Sequence, residues 1–369
     1  MHTFIIVPTG FGVGLTSISL GMIRALERSG LKVGFCKPIA QNVAGDNGPE
    51  RSSELVALTH AITPPKPLPL AQVERMLSEG QLDELLEQVV HLCQQASVGM
   101  DVLLVEGMVT NRQASYAAQA NARLAQGLNA EVILVSAPDG ESLEELADRI
   151  DIQARQFGGC EDPRVLGVIF NKVRDEEFTT QLKQQSPLFN SGNFRLLGCI
   201  PWSAGLNAPR TSDIAEQMQA LILNEGEYRQ RRVQEILLFA RAVHNSVELL
   251  KPGVLVVTPG DRDDIILAAC LAAMNGVPLA GLLLSGDFAP DPRILELCQG
   301  AMQSGLPLMT VKTGSYATAH NLQQINREIP LDDLERAEKV TEFVATYLDH
   351  AWLHERCGTP QITRLSPPA

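Results

Sequence analysis

The cysteines and histidines of this 369-residue chain have none of the spacings that are typical of metal or redox sites. The seven cysteines are scattered, and no two of them are separated by only two residues. An odd, dispersed set is typical of reduced thiols in a cytosolic protein, where they pack as small hydrophobic side chains. The seven histidines are equally dispersed. The cysteines and histidines therefore predict no metal site.

Long apolar runs and an excess of basic residues are also absent. No run reaches the roughly 18 residues that a membrane span needs. Residues 1–8 are too short for a signal peptide and lack its basic region, so we expect a β-strand there and a cytoplasmic protein. The net charge of −13 and the pI near 5.1 argue against nucleic acid or an anionic membrane as partners. Small phosphorylated ligands stay compatible with this charge.

Short apolar runs alternate with helical patterns over the first 212 residues. Continuous apolar strands between helices indicate an α/β fold with a parallel sheet covered on both faces. The four-residue spacing of Ile18, Met22 and Leu26 predicts a helix that ends at Gly30. The proline-rich residues 63–69 predict an extended connection. The predicted strands are residues 4–7, 31–36, 102–106, 132–136, 165–170 and 196–200.

A second, smaller α/β unit is predicted after residue 212. Residues 214–244, which include a basic cluster at 229–232, have a largely helical pattern. Predicted strands at 254–258, 279–284 and 306–311 then alternate with helices at 263–274 and 291–304. Residues 332–354 predict a final amphipathic helix, and 364–368 resemble a linker. The predicted domains are thus residues 1–212, 213–330 and 331–369.

The glycine-rich segment at residues 8–17 lies between a predicted strand and a predicted helix, the context of a phosphate-binding loop. Glycines let backbone N–H groups turn toward an anion, and the N-terminus of the helix adds the positive end of its dipole. Thr16 and Ser17 supply hydroxyls where such loops hold Mg²⁺. The candidate phosphate-binding residues of the loop are Thr9, Gly10, Gly12, Gly14, Thr16 and Ser17.

Leu15 stands where ATP-hydrolysing loops carry a lysine that reaches the β- and γ-phosphates. Its presence removes a charge contact that phosphoryl transfer needs, so ATP hydrolysis by this loop is not expected. Two interpretations of the loop by itself stay open. It binds an anion, or it is a tight turn kept for packing.

Polar residues also follow three other predicted strands. Lys37 is an added cation, Glu106 is placed to hold a metal-bound water, and Asn171 with Lys172 stands where nucleotide-binding folds read a base. Each residue alone has an ordinary interpretation, as an edge lysine, a paired carboxylate or a turn asparagine. Because ligands of doubly wound folds bind at the carboxyl ends of the strands, the four residues together favour a nucleotide or phosphate site.

Five segments resemble known proteins: the glycine-rich loop at residues 8–17 and residues 37–38, 105–107, 171–172 and 200–202. Together they resemble the dethiobiotin synthetase-like P-loop fold. A still closer resemblance is to the N-terminal region of the long bacterial phosphate acetyltransferases, and it rests on residues 6–10 with 13–17, 35–41 and 104–107. In that family the loop also has leucine in place of lysine, so the resemblance makes Leu15 a family trait.

The second unit resembles the DRTGG domain, which follows the P-loop-like domain in these enzymes. Asp261 and Arg262 match the first half of its signature, and Ser285 with Gly286 matches the second half. These four residues are the candidates for that domain. Asp287 departs from the signature, which has glycine at this place, and so weakens the case for an anion at that turn.

The resemblance implies the function of the chain. In the family, acetyl transfer takes place in a separate C-terminal domain that begins just after a segment like residues 364–368. We therefore expect the regulatory and oligomerisation portion of a phosphate acetyltransferase, inactive alone and without catalytic residues. Its expected partners are the catalytic domain of the same enzyme, further copies in a homo-oligomer, and small-molecule effectors. ATP or NADH is a possible allosteric ligand, and no firm cofactor is predicted.

Two alternatives stay open. An ATP-dependent ligase of the dethiobiotin synthetase type is favoured by Lys37 and Glu106 and disfavoured by Leu15. A purely structural interaction module with an empty pocket is the other.

Overall fold

The computed structural model describes residues 1–41, 48–109, 116–190 and 194–358. The chain divides into two compact units. Unit 1 comprises Met1–Trp202 together with Leu331–Ala369, and unit 2 comprises Ser203–Pro330. The predicted linker at 364–368 lies outside the described residues.

Six strands of unit 1 form a parallel sheet in the order β2-β3-β1-β4-β5-β6. Its strands are β1 His2–Pro8, β2 Val33–Cys36, β3 Val102–Glu106, β4 Glu131–Ser136, β5 Val165–Val173 and β6 Arg195–Pro201. All six strands predicted from the sequence are confirmed. Every residue of β2 and β3 is buried, because helices cover both faces of a parallel sheet.

Within the described residues, seven helices of unit 1 connect these strands. They are α1 Leu15–Arg28, α2 Arg51–Thr59, α3 Leu70–Ser78, α4 Leu82–Ser97, α5 Ala117–Gly127, α6 Leu143–Arg155 and α7 Phe178–Gln185, followed by a short 3₁₀ helix at Pro187–Asn190. The predicted first helix is confirmed, and Gly30 follows its end with a φ of 81°. The proline-rich connection is extended as predicted, with Leu68 bridged to Ile39.

Unit 2 is built on a five-stranded sheet in the order β7-β11-β10-β9-β8, in which only the β7–β11 pairing is antiparallel. Its strands are β7 Leu221–Asn224, β8 Glu235–Leu238, β9 Val254–Pro259, β10 Gly281–Ser285 and β11 Leu308–Thr310. Its helices are α8 Thr211–Gln217, α9 Asp263–Met274, α10 Pro292–Leu297, α11 Gln299–Gln303 and α12 Ser315–Gln323, with 3₁₀ helices at Val243–Asn245 and Val247–Leu249.

The prediction of a largely helical segment at 214–244 is wrong. Helix α8 ends at Gln217, and Gln219 has a φ of 51°, which no helix continues through. The chain then contributes both edge strands of the sheet, β7 and β8. Pairing with β11 and β9 outweighs the local helical pattern, as tertiary contacts commonly do for short segments. The predicted helix at 291–304 is likewise two helices that meet at Cys298.

The segment after unit 2 returns to unit 1 as two helices, α13 Leu334–Thr346 and α14 His350–Cys357. The sequence predicted one helix here and set residues 331–369 apart from the first domain. The helix breaks because Tyr347 accepts a hydrogen bond from the Cys199 backbone and Leu348 bridges Gly198 of β6. Asp349 then caps α14 by accepting from the Trp352 N–H.

None of the helices in the described part of the chain combines the length and the apolar character that a membrane crossing requires.

Candidate functional site

The glycine-rich loop joins β1 to α1. Gly12 and Gly14 have φ angles of 69° and 82°, in the left-handed region that glycine adopts without strain. Gly14 is the N-cap of α1, and no side chain caps the helix there. At the start of the loop, buried Thr9 donates a hydrogen bond to the Ser136 hydroxyl at the end of β4. The first turn of α1 thus presents its backbone N–H groups at the loop, and its Thr16 and Ser17 are half-buried.

The end of β5 holds this loop in shape. The Asn171 amide nitrogen donates to the Val13 carbonyl at 2.8 Å, and its oxygen accepts from the Lys172 N–H at 2.9 Å. The Lys172 ammonium donates to the Gly12 carbonyl at 2.6 Å, and Lys172 itself has a φ of 61°. The two residues predicted at this strand end therefore do reach the loop, where they bind its carbonyl groups.

Leu15, the residue in place of the lysine, is buried with an exposed fraction of 4%. Its carbonyl lies 3.1 Å from the Ser19 hydroxyl one turn along α1. The position therefore contributes an apolar side chain to the interior and no positive charge to the loop.

Lys37 and Glu106 meet as an ion pair at the carboxyl ends of β2 and β3. The distance from Lys37 Nζ to Glu106 Oε1 is 2.6 Å, and the two residues are 5% and 1% exposed. The sequence predicts that they lie at one sheet edge, because adjacent parallel strands end side by side. Burying two charges is favourable only when hydrogen bonds satisfy both groups.

Three residues that the sequence interpretation missed complete this cluster. Ser52 donates to Glu106 Oε1 at 2.9 Å, and Ser19 donates to Glu106 Oε2 at 2.5 Å. Glu50 caps α2 and lies 3.8 Å from Lys37 Nζ, while the hydroxyls of Thr16 and Ser52 are 2.7 Å apart. An acidic residue directly before a serine-containing helix start is a signal that could have found Glu50.

Arg149 on α6 is a further cation that sequence reasoning missed. A Cβ built at Gly10 would lie 3.4 Å from Arg149 Nη1, so the guanidinium lies directly beside the loop. Arg149 also donates to the Ser136 hydroxyl, the Ala137 carbonyl and the Glu141 carboxylate. Its position in the middle of a helix offers no sequence signal, because only the packing of α6 brings it to Gly10.

P-loop proteins hold Mg²⁺ with the loop hydroxyl and an acidic residue at a strand end, which Thr16 and Glu106 match by position. These residues do not fit the metal. Both oxygens of Glu106 already accept hydrogen bonds, and the Lys37 ammonium lies against one of them. The described ranges also contain no group of three His, Cys, Asp or Glu residues able to hold a metal ion.

In unit 2 the two halves of the predicted signature lie at one sheet edge, where the Gly260 N–H donates to the Ser285 carbonyl. Arg262 forms a bidentate pair with Asp264, which lowers the pKa of the Asp264 carboxyl and raises that of Arg262. Ser285 bonds to the Ser315 hydroxyl, and Gly286 has a φ of 96°. The Arg262 guanidinium is therefore already engaged within its own turn.

The sequence of the described fold matches two families of protein domains. Residues 2–210 match the AAA domain family, which extends over more than half of the chain, and residues 213–325 match the DRTGG domain. The chain belongs to the AAA domain family. The AAA-family part coincides with the six-stranded sheet, and the DRTGG part with the second sheet. The predicted α/β class, with a P-loop-like domain before a DRTGG domain, is confirmed.

Curated relatives of this AAA-family chain are phosphate acetyltransferases. The one from Pseudomonas aeruginosa is 66% identical over 380 residues, covering 100% of this chain and 54% of the relative. The one from Salmonella typhimurium is 38% identical over 384 residues, covering 99% of this chain and 54% of the relative. The chain thus spans about half the length of the curated relatives it matches, and its predicted resemblance to the N-terminal region of these enzymes is confirmed.

Among solved structures, the chain is similar to the CBS and DRTGG domains of the regulatory region of Clostridium perfringens pyrophosphatase in complex with its activator diadenosine tetraphosphate. The TM-score is 0.28 and the identity 16%, over 48% of this chain and 86% of that one.

Proposed function

We propose that the chain is the regulatory and assembly portion of a phosphate acetyltransferase, which interconverts acetyl-CoA plus phosphate with acetyl phosphate plus CoA. An anionic metabolite bound at the glycine-rich loop, such as ATP or NADH, controls the catalytic part of the enzyme. The similarity to phosphate acetyltransferases over the whole chain supports this assignment.

The observation that carries the proposal is a loop shaped for an anion in which the lysine of phosphoryl transfer is a buried leucine. Gly12 and Gly14 turn the backbone, the uncapped start of α1 offers N–H donors, and Arg149 lies beside Gly10. Without a lysine at position 15, such a loop binds a phosphate group and does not split it.

A path for control also follows from the fold of unit 1. Helix α1 begins at the loop, and α13 packs on it with ion pairs from Arg24 and Arg28 to Glu342. A ligand controls an attached domain only by binding one arrangement of the protein better than another. A ligand bound at the loop thus acts on α13 through α1.

Calorimetric titration of the full chain with ATP, NADH, pyruvate and phosphoenolpyruvate tests the sensing function. We expect at least one of them to bind. Arg149→Met should weaken that binding at least about tenfold, because a charge-assisted contact is lost. Arg155→Met is the matched control, since this arginine lies on the same helix with its side chain largely exposed and paired with Asp151. No binding by any of the four ligands would overturn the sensing function.

The acetyl-transfer part of the proposal has its own test. We expect the purified chain to form no acetyl phosphate from acetyl-CoA and phosphate, since in the family this chemistry belongs to the C-terminal domain. Robust turnover by the chain alone would contradict the assignment.

A structural interaction module is the second candidate, favoured by the hydrogen bonds that tie Asn171 and Lys172 to the loop carbonyls. It requires that Gly14→Val weakens folding or assembly and alters no ligand response. The alternative of an ATP-dependent ligase is supported less well. Lys37, the residue that favoured it, is paired with Glu106. A Leu15→Lys variant with no gain in nucleotide affinity would show that the loop is not merely one residue away from such activity.

A further inference from the structure

We propose that the Lys37 ammonium takes the place of a divalent cation at the loop, so that the site accepts its anionic ligand without Mg²⁺. This inference rests on the proposed sensing function and deepens it, because it names the class of ligand. That ligand is a phosphate-bearing metabolite that need not be a magnesium chelate.

The position of Lys37 Nζ is the first argument. It lies 2.6 Å from Glu106 Oε1 and 3.8 Å from Glu50 Oε1. The hydroxyl of Ser52 donates to the same Glu106 oxygen and lies 2.7 Å from the Thr16 hydroxyl. Two carboxylates and two hydroxyls are the all-oxygen set that Mg²⁺ prefers. The ammonium therefore stands among the atoms that would otherwise be ligands of a metal.

The engagement of these oxygens is the second argument. Glu106 Oε2 accepts from Ser19, and the Glu50 oxygens accept from the backbone N–H groups of Ser52 and Ser53. A metal ion would have to displace a buried ammonium and break these bonds. Since like charges repel strongly in a buried site, the ion pair excludes the divalent cation as long as Lys37 is present.

For binding, the consequence is that the buried ion pair and the groups that contact the ligand are different residues. Lys37 and Glu106 neutralise each other beneath the loop, and the N–H groups of α1 with Arg149 beside Gly10 meet the ligand. An anion bound in this way is held by hydrogen-bond donors of the chain itself and by no metal ion.

Titration of the full chain with Mn²⁺, followed by the electron paramagnetic resonance signal of the free ion, tests the exclusion of metal directly. Wild type should bind no stoichiometric Mn²⁺ at this site. Lys37→Met should bind one ion with an affinity at least about tenfold higher than that of wild type for any Mn²⁺, because the repelling charge is gone. Lys37→Met/Glu106→Gln should lose that ion again. The exposed Lys66→Met is the matched control and should behave as wild type.

The outcome for wild type decides the proposal even if Lys37→Met fails to fold. One Mn²⁺ bound by wild type and lost in Glu106→Gln would overturn it. If Mn²⁺ binds with equal affinity to wild type and to Glu106→Gln, the ion lies at another site and the result supports the proposal.

Titration with ATP in excess Mg²⁺ and in EDTA separates this inference from the sensing function. The two affinities should agree within about twofold. A requirement for Mg²⁺ would overturn the inference and leave sensing intact. Failure of ATP and the other three metabolites to bind in both buffers would overturn sensing, while the Mn²⁺ result still decides the role of Lys37.

Discussion

Gly14 shows at the scale of one residue how closely the loop and β5 fit together. Its φ of 82° is already unfavourable for any other residue, and a Cβ there would lie 2.4 Å from the Asn171 amide nitrogen. We expect Gly14→Ala to lower the free energy of unfolding by about 2–3 kcal/mol, since strain and the clash add. Urea unfolding followed by circular dichroism measures this change.

Gly12→Ala is the control for that experiment. Gly12 has a similar φ of 69°, but a Cβ there would meet nothing within 4 Å. The control should therefore cost only the backbone strain, about 1 kcal/mol. Equal losses in the two variants would show that the contact with Asn171 contributes nothing to the shape of the loop.

The cysteines supply a prediction about pH. All seven are free thiols and six of them are buried, as the sequence predicts. Burial raises the pKa of Cys160, and likewise that of Cys357, from 9.0 to about 11. The folded chain therefore holds these protons when the unfolded chain has lost them. Its free energy of unfolding should fall between pH 9 and 11, by up to about 1.4 kcal/mol per pH unit for each group.

Comparison with a variant isolates the contribution of the thiols. Urea midpoints measured at pH 8, 9 and 10 should decline less steeply for Cys160→Ala than for wild type. Parallel slopes for the two proteins would contradict the raised pKa of Cys160.

At the scale of elements, the packing of α13 on α1 depends on Gly21. A Cβ at Gly21 would lie 2.3 Å from a methyl group of Val344 and 3.0 Å from the Ala345 nitrogen. Alanine is favoured over glycine within a helix by about 1 kcal/mol. We nevertheless expect Gly21→Ala to lower the melting temperature, because the two helices must move apart.

Gly127→Ala, at the end of α5, is the matched control. A Cβ there meets no atom closer than 3.9 Å, so the variant should be neutral or more stable. Recovery of the melting temperature in Gly21→Ala/Val344→Ala would assign the loss to this one contact. If Gly21→Ala is as stable as wild type, the two helices are not closely packed.

At the scale of the whole molecule, each unit has its own hydrophobic core. Ile5, Val105 and Leu134 belong to the core of unit 1, and two clusters around Val256 and Leu283 lie in unit 2. A segment with a core of its own can fold alone. We expect the fragment 203–330 to unfold cooperatively in urea, with circular dichroism showing both helix and strand.

The complementary variant replaces residues 203–330 by a flexible linker of about ten residues between Trp202 and Leu331. It should retain the parallel sheet and α13, because both parts of unit 1 are present. A fragment without a cooperative transition, or a shortened chain that aggregates, would show that the units depend on each other to fold.

Much of the fold could be predicted from the sequence, and the reason is visible in particular elements. Strands such as β3 are buried on both faces, so they appear as continuous apolar runs that few other structures produce. The residues of the edge strands β7 and β8 are exposed or half-exposed. The short apolar patterns of these two strands therefore also fit a helix. Only their partners in the sheet decide between the two.

In the candidate site, too, some residues could be predicted from the sequence and others could not. The sequence by itself determined the glycine-rich loop, the missing lysine at Leu15 and the meeting of Lys37 with Glu106, because parallel topology brings strand ends to one edge. The tertiary structure alone decided that Ser19, Ser52 and Arg149 join them. These side chains come from helices, and the rotation and packing of a helix against a sheet depend on contacts far apart in the chain.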